Sequence, residues 1–412
     1  MDEQERQVSF PFLIEPARVF TPTAPIDERS LFAGRTDQIR SVIRAVTQKG
    51  QHAIVYGERG VGKTSLANVL SSFLQSPDYN VLSPRVNCNS MDTFELVWKK
   101  VLDEIKMYRK MQPAGFAATL EQDISKSSAD LLGPEVTPDS VRRALTVLSQ
   151  NSLPILIIDE FDRLTPDVKR GIADTVKTLS DHAVAATVVL VGVADSVGDL
   201  IEEHESVERA LIQVPMPRMS SGEIRQIIRI GMQKLGLSVA ESVVQRICAL
   251  AQGLPHYAHL LGLETAAIAR ERQVDTIDTV ILECAITQSI QNSQQSIIKA
   301  WHLATMSPRR DNLFSDVLLA CAMAHTDDLG YFAAQDIKEP LRQILNRKVE
   351  IANYAQHLSE FSDEKRGPVL QRIGGKRRFR FRFTNPLMQP YVVMQGFASH
   401  KITDEMISRA SS

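Results

Sequence analysis

Cysteine is scarce. The chain carries four, Cys88, Cys248, Cys284 and Cys321, with no C-x-x-C pair among them, which argues against zinc and against a disulfide framework and suits a reducing, cytoplasmic setting. Charge of one sign is missing as well. Lys and Arg number 47 against 49 Asp and Glu, a formal net charge of −2, so nothing global points to nucleic acid and any such case must rest on local clusters. No apolar run reaches about 18 residues, so no transmembrane helix is expected. The N-terminus, Met1-Asp-Glu-Gln-Glu-Arg6, lacks the basic segment and apolar core of a secretory signal. No internal repeat is apparent. What remains is 43% hydrophobic content over 412 residues, ample for folded domains and too long for one compact core, so two or three domains are expected.

The clearest signal lies at 52–65, where the apolar run His52-Ala-Ile-Val-Tyr56 meets Gly57-Glu-Arg-Gly-Val-Gly-Lys-Thr-Ser65. Gly57, Gly62, Lys63 and Thr64 satisfy the P-loop pattern G-x-x-x-x-G-K-[ST], in which backbone N–H groups wrap nucleotide phosphates. Glycines at 57, 60 and 62 allow positive φ and put no Cβ between backbone and ligand. The helix beginning at Lys63 adds its N-terminal partial charge. Lys63 supplies a mobile cation for the β- and γ-phosphates, and the Thr64 hydroxyl can take a site on Mg²⁺.

A second signal is Leu153-Pro-Ile-Leu-Ile-Ile-Asp-Glu160, wholly apolar until its acids. Such a run suits a central parallel strand covered on both faces. Asp159 can hold Mg²⁺ and Glu160 can polarise the attacking water; acids that merely end a strand are the alternative. Asp195 follows the next apolar run, 187–193, and could orient the water, with Ser196 competing and a plain helix cap as the alternative. Arg209 precedes a short strand on the edge where a neighbouring subunit would dock, and could act in trans on the γ-phosphate or only form a surface ion pair.

Strand and helix alternate through these runs, which predicts a parallel sheet with helices on both faces and ligand at the strands' carboxyl ends. The expected organisation is an extended arm at 1–28, a nucleotide-binding α/β domain at 29–219, a helical lid at 220–303 and a C-terminal α+β domain at 304–412. A single strand is expected over 81–86, a helix over 94–108, a loop-like insertion over 111–137 and a helix over 276–301. In the last domain, Val369 to Ile373 and Arg377 to Phe383 flank Gly374-Gly375-Lys376, a hairpin signal. Alternation there puts Arg378, Arg380 and Arg382 on one face and the phenylalanines on the other. Together with Lys376 and Arg377 they form a basic patch suited to double-stranded DNA, to an acidic protein surface, or to nothing beyond solvation.

These residues resemble an AAA+ ATPase: Gly57 to Thr64 its Walker A motif, Ile155 to Glu160 its Walker B motif, Asp195 or Ser196 its sensor 1. Phe32-Ala-Gly-Arg35, Arg85-Val-Asn-Cys88 and Ile158-Asp-Glu-Phe-Asp162 are similar to origin-recognition-like initiators, which end in a winged helix. The segment Gly253-Leu-Pro-His-Tyr257, where initiators offer an arginine, looks like the G-x-P motif of the signal-transducing STAND ATPases. The resemblance implies an AAA+ parallel sheet, an all-α lid and a winged-helix-like C-terminal domain. It implies ATP or ADP held by Phe32, Gly34, Arg35, Gly57, Glu58, Arg59, Gly60, Val61, Gly62, Lys63, Thr64, Ser65, Pro255 and His256, and magnesium on Thr64 and Asp159. Arg209 would be its arginine finger in a homo-oligomer. Two functions follow: an ATPase switch acting on DNA, or a STAND-like signalling or defence ATPase acting on a separate effector protein, in either case a slow one.

Overall fold

The computed structural model describes residues 10–25, 32–74, 80–110, 123–201, 205–308, 312–327, 329–375 and 378–410. At its centre is a six-stranded parallel sheet. In chain order the strands are β1 (His52–Gly57), β2 (Val81–Leu82), β3 (Arg85–Asn87), β4 (Leu153–Asp159), β5 (Thr187–Val193) and β6 (Leu211–Pro215). Across the sheet they run β2, β4, β5, β1, β6, with β3 also paired to β4. Because every pair is parallel, the glycine loop that ends β1 and the acids that end β4 emerge at the same edge, one strand apart. The one strand expected over 81–86 is split at Ser83-Pro84, since proline has no N–H to give the ladder.

The sheet is covered on both sides, as its unbroken apolar runs require. Val55, Ile155, Ile157, Val189 and Val191 face one core and Ile54, Leu156, Ile158, Val188 and Leu190 the other, by the alternation of the pleat. The first core runs without a break into the lid and the C-terminal unit, through Leu254, Tyr257, Leu387 and Tyr391.

The lid comprises helices Ser221–Lys234, Glu241–Ala251, Pro255–Glu271 and Thr279–Gln291. The first opens with the expected Ser220/Glu223 capping box. The helix expected over 276–301 is divided, with a second beginning at Gln295. At the break Asn292 donates its amide to Glu264 (2.9 Å) and Ser293 its hydroxyl to Ser289 O (2.7 Å), side-chain bonds that compete with the helix ladder.

The C-terminal unit is α+β and winged-helix-like. A three-stranded antiparallel sheet, with Arg380–Phe383 between Phe332–Ala333 and Leu370–Ile373, packs with helices Phe314–Ala322, Lys338–Leu345 and Met388–Ala398. Phe381 and Phe383 point into the core, as alternation predicts.

Two further segments depart from expectation. The arm is helical over Phe10–Val19 despite Pro16, because it lies along lid helix Pro255–Glu271. The helix expected over 94–108 stops at Asp103, and Lys106–Lys110 pairs with Asp123–Ser127 as a hairpin; much of the expected insertion lies outside the described residues. Among those described, no helix is long and apolar enough to cross a membrane, and all four cysteines are free.

Candidate functional site

The loop after β1 turns through Gly57 (φ 153°), Gly60 (φ 88°) and Gly62 (φ 94°). At Gly57 the constraint is steric too, since a Cβ would fall 2.4 Å from Met216 O. Lys63 opens helix Lys63–Leu74, and its ammonium, in an 8% exposed residue, donates back to Gly57 O (3.0 Å) and Glu58 O (2.8 Å). Burial pushes its pKa down to about 8, against the pull of Asp162, Asp159 and Glu58.

Above the loop lies a cavity of about 660 Å³. Gly60, Gly62, Lys63, Thr64 and Ser65 form its floor, Asp159, Glu160 and Asp162 one wall, Phe32, Ala33 and Arg35 another, and Pro255 and His256 of the lid a third. The parallel sheet thus brings most of the expected residues to one place. Gly34 acts from behind: at φ 70° it leaves room for Glu223, which a Cβ would meet at 2.6 Å. Arg35, also left-handed (φ 58°), donates its backbone N–H to Glu223 (2.9 Å) and its guanidinium to Val61 O (2.9 Å) and Pro217 O (2.6 Å). It braces the phosphate loop against the lid. Pro255 Cγ would lie 3.7 Å from a Cβ at Gly62, and His256 Nδ1 is 2.7 Å from Pro22 O, so that nitrogen carries the proton.

The acids are individually held. Arg85 reaches across from β3 to Asp159 (2.9 Å), whose other oxygen accepts the N–H of Glu160 (2.8 Å). Glu160 is left-handed (φ 56°) and its carboxylate pairs with Arg163 (3.0 Å). That turn swings Asp162 back over the cavity, where it accepts the N–H of Val193 (2.8 Å). Thr64 with these carboxylates offers hard oxygen donors suited to magnesium. Among the described residues no group of three or more His, Cys, Asp or Glu could hold a metal.

Asp195 does not line this cavity. It pairs with Arg382 of the C-terminal sheet (2.6 Å) and borders a second space of about 260 Å³, between Glu58 and Arg59 on one side and residues 382–386 on the other. Ser196 is bonded to Asp199 (3.0 Å). Arg209 is exposed beside β6, an edge strand. In the basic hairpin Arg380 pairs with Asp327 (2.9 Å) and Arg378 is exposed, while Lys376 and Arg377 lie outside the described residues.

The family model for Novel STAND NTPase 1 matches residues 24–325. The chain belongs to that family. No curated protein matches it. Similar solved structures include Cdc6p from Pyrobaculum aerophilum (13% identity, TM-score 0.47, covering 94% of this chain and 99% of that one) and the ORC2 protein of Aeropyrum pernix (14%, 0.48, 94% and 99%). The Walker-type ATPase paby2304 of Pyrococcus abyssi is a third (14%, 0.49, 90% and 98%).

In this STAND NTPase the C-terminal unit is seated on the phosphate loop. Arg218 joins three parts of the molecule: Glu58 in the loop (2.5 Å), Gln252 O at the end of a lid helix (3.3 Å) and Gln389 in the C-terminal unit (2.7 Å). Tyr257 of the lid donates its hydroxyl to Leu387 O (2.5 Å), and Leu387 abuts the loop so closely that a Cβ on Gly60 would lie 2.9 Å from it. With Asp195 and Arg382, these contacts form a latch. The sequence reading missed Asp162, Arg85, Arg163 and Arg218, as well as residues 21–25, which close the cavity from the arm. Only Asp162 carried a readable signal, as a third acid three positions after Asp159.

Proposed function

We propose that this chain is a slow ATP-controlled switch that signals by seating and releasing its C-terminal unit, and that it acts on a separate effector protein. The observation that carries this reading is the latch: Glu58, in the phosphate loop just after β1, and Asp195, just after β5, are both held by arginines that tie down the C-terminal unit. In the proposed cycle the Lys63 ammonium exchanges the carbonyls of Gly57 and Glu58 for phosphate oxygens. Thr64 and Asp159 would hold magnesium, which when bound would supply positive charge against those oxygens. Glu160 turns from Arg163 and accepts a proton from the attacking water as its oxygen bonds the terminal phosphorus, the bond from that phosphorus to the bridging oxygen breaks, and ADP leaves with the electron pair. Losing Lys63, the Glu58 carbonyl is free to move, and the loop carries that change to Arg218. The exposed Arg209, just before edge strand β6, supports a role in a neighbour's site within a homo-oligomer.

A protein effector suits this chain better than duplex DNA, because two of the hairpin arginines, Arg380 and Arg382, already pair with Asp327 and Asp195. The test is steady-state phosphate release by Arg382→Ala. Loss of a partly buried ion pair should raise turnover on the order of tenfold, about 1.4 kcal/mol. Unchanged turnover, with unchanged nucleotide exchange, would sink the latch.

A further inference from the structure

A groove of about 760 Å³ opens on the C-terminal unit, sharing no residue with the nucleotide cavity. It lies between helix Ala355–Phe361 and the strands Leu370–Ile373 and Arg380–Phe383. Its floor is apolar. Leu358 and Phe381 are buried beneath it, Phe379 is half-buried, and Ile351 on the lip is 38% exposed. Its rim is cationic, with Arg372, Arg378 and Arg380, and no carboxylate lines it.

The balance of charge around this groove decides what fits it. Arg380 is neutralised by Asp327 at 2.9 Å. Arg372 lies over the Phe379 ring at 4.7 Å, and neither Arg372 nor Arg378 has an ion pair among the described residues. Nearby acids are engaged elsewhere: Glu350 by Lys338 (2.7 Å), Glu360 by Arg366 (3.1 Å) and Asp336 by the N–H of Ala333 (2.7 Å). An apolar floor flanked by uncompensated guanidinium groups is complementary to a segment that brings aliphatic or aromatic side chains and carboxylates together. A phosphate backbone would satisfy the arginines and leave Ile351 and Phe379 uncovered.

We infer that this groove docks an acidic amphipathic helix of the effector polypeptide, its apolar residues on Leu358 and Phe379 and its carboxylates against Arg372 and Arg378. The inference rests on the reading that a separate protein is the partner. The probe is a labelled peptide of about four helical turns with Leu and Phe at helical spacing and Glu on the flanks, titrated against the full chain by fluorescence polarisation, without nucleotide and with ADP. Binding should weaken with salt and lose at least about tenfold in Arg372→Glu/Arg378→Glu, and equally in Ala355→Glu, whose exposed position projects a carboxylate into the groove. ATP binding, measured on the same samples, should stay at the wild-type value and so report an intact fold.

Equal binding by a peptide with Lys in place of Glu, or with Ser in place of Leu and Phe, would overturn the proposal. So would unchanged affinity in the variants, displacement of the peptide by duplex DNA, or a dimer that Ala355→Glu breaks while the peptide fails to bind. Because the titration does not require the latch to move, peptide binding with an inert latch sinks the switch alone. A working latch without peptide binding sinks the groove alone.

Discussion

Lys63 sits in a nest whose burial weakens its hold on the proton until an anion arrives. Its pKa is about 8 in the fold against an ordinary 10.5, so the unfolded chain binds more protons between those values, and the stability of the nucleotide-free protein should rise with pH across that window. ATP binding has the opposite sign, since a triphosphate favours the charged ammonium. Affinity measured with a fluorescent ATP analogue should fall about tenfold between pH 7 and pH 9, and a flat profile would contradict the role given to Lys63. Glu160→Gln should keep nucleotide affinity and lose about 10²–10⁴-fold in hydrolysis; undiminished turnover would remove Glu160 from the chemistry. Lys63, Asp159 and Glu160 were legible in the sequence because their chemistry demands fixed local spacing. The partners of Arg85 and Asp162 were not, because one reaches Asp159 across the pairing of β3 with β4 and the other is carried to the Val193 N–H by a left-handed turn at Glu160.

At the scale of elements, the arm is where the sequence misled most. Its prolines read as an extended strap, yet the structure turns 10–19 into a helix and drives Phe20 into a socket lined by Gly231 and Gly262. Both glycines lie inside lid helices, where they cost helix stability, and a Cβ on Gly231 would fall 2.2 Å from the Phe20 ring. That socket holds the next residues over the cavity, with Thr21 donating its N–H to His259 (3.2 Å) and Pro22 accepting from His256. Phe20→Ala should weaken the seat by about 3–5 kcal/mol, seen as rapid proteolysis within 10–25 and a loss of nucleotide affinity. An arm that stays protected, with affinity intact, would mean that it does not form part of the site. The central strands, by contrast, were readable from sequence because burial on both faces leaves an unbroken apolar run.

Across the whole molecule, the sheet, lid and C-terminal unit share one core, and the latch crosses all three. The fold class was legible from the alternation of strand and helix and from the two motifs. The seating of the C-terminal unit was not, because Arg218, Gln389 and Leu387 are ordinary residues until the chain closes. Mixing Lys63→Ala with Arg209→Ala subunits should restore ATPase activity if the arginine acts in trans; two inactive partners that stay inactive together would remove Arg209 from the neighbour's site. The most direct test of the switch is hydrogen exchange over 380–398 in Glu160→Gln protein, loaded with ADP or with ATP. The proposed mechanism requires strong protection of that segment with ADP and its loss with ATP, whereas equal protection in the two states would show that the nucleotide does not govern the C-terminal unit.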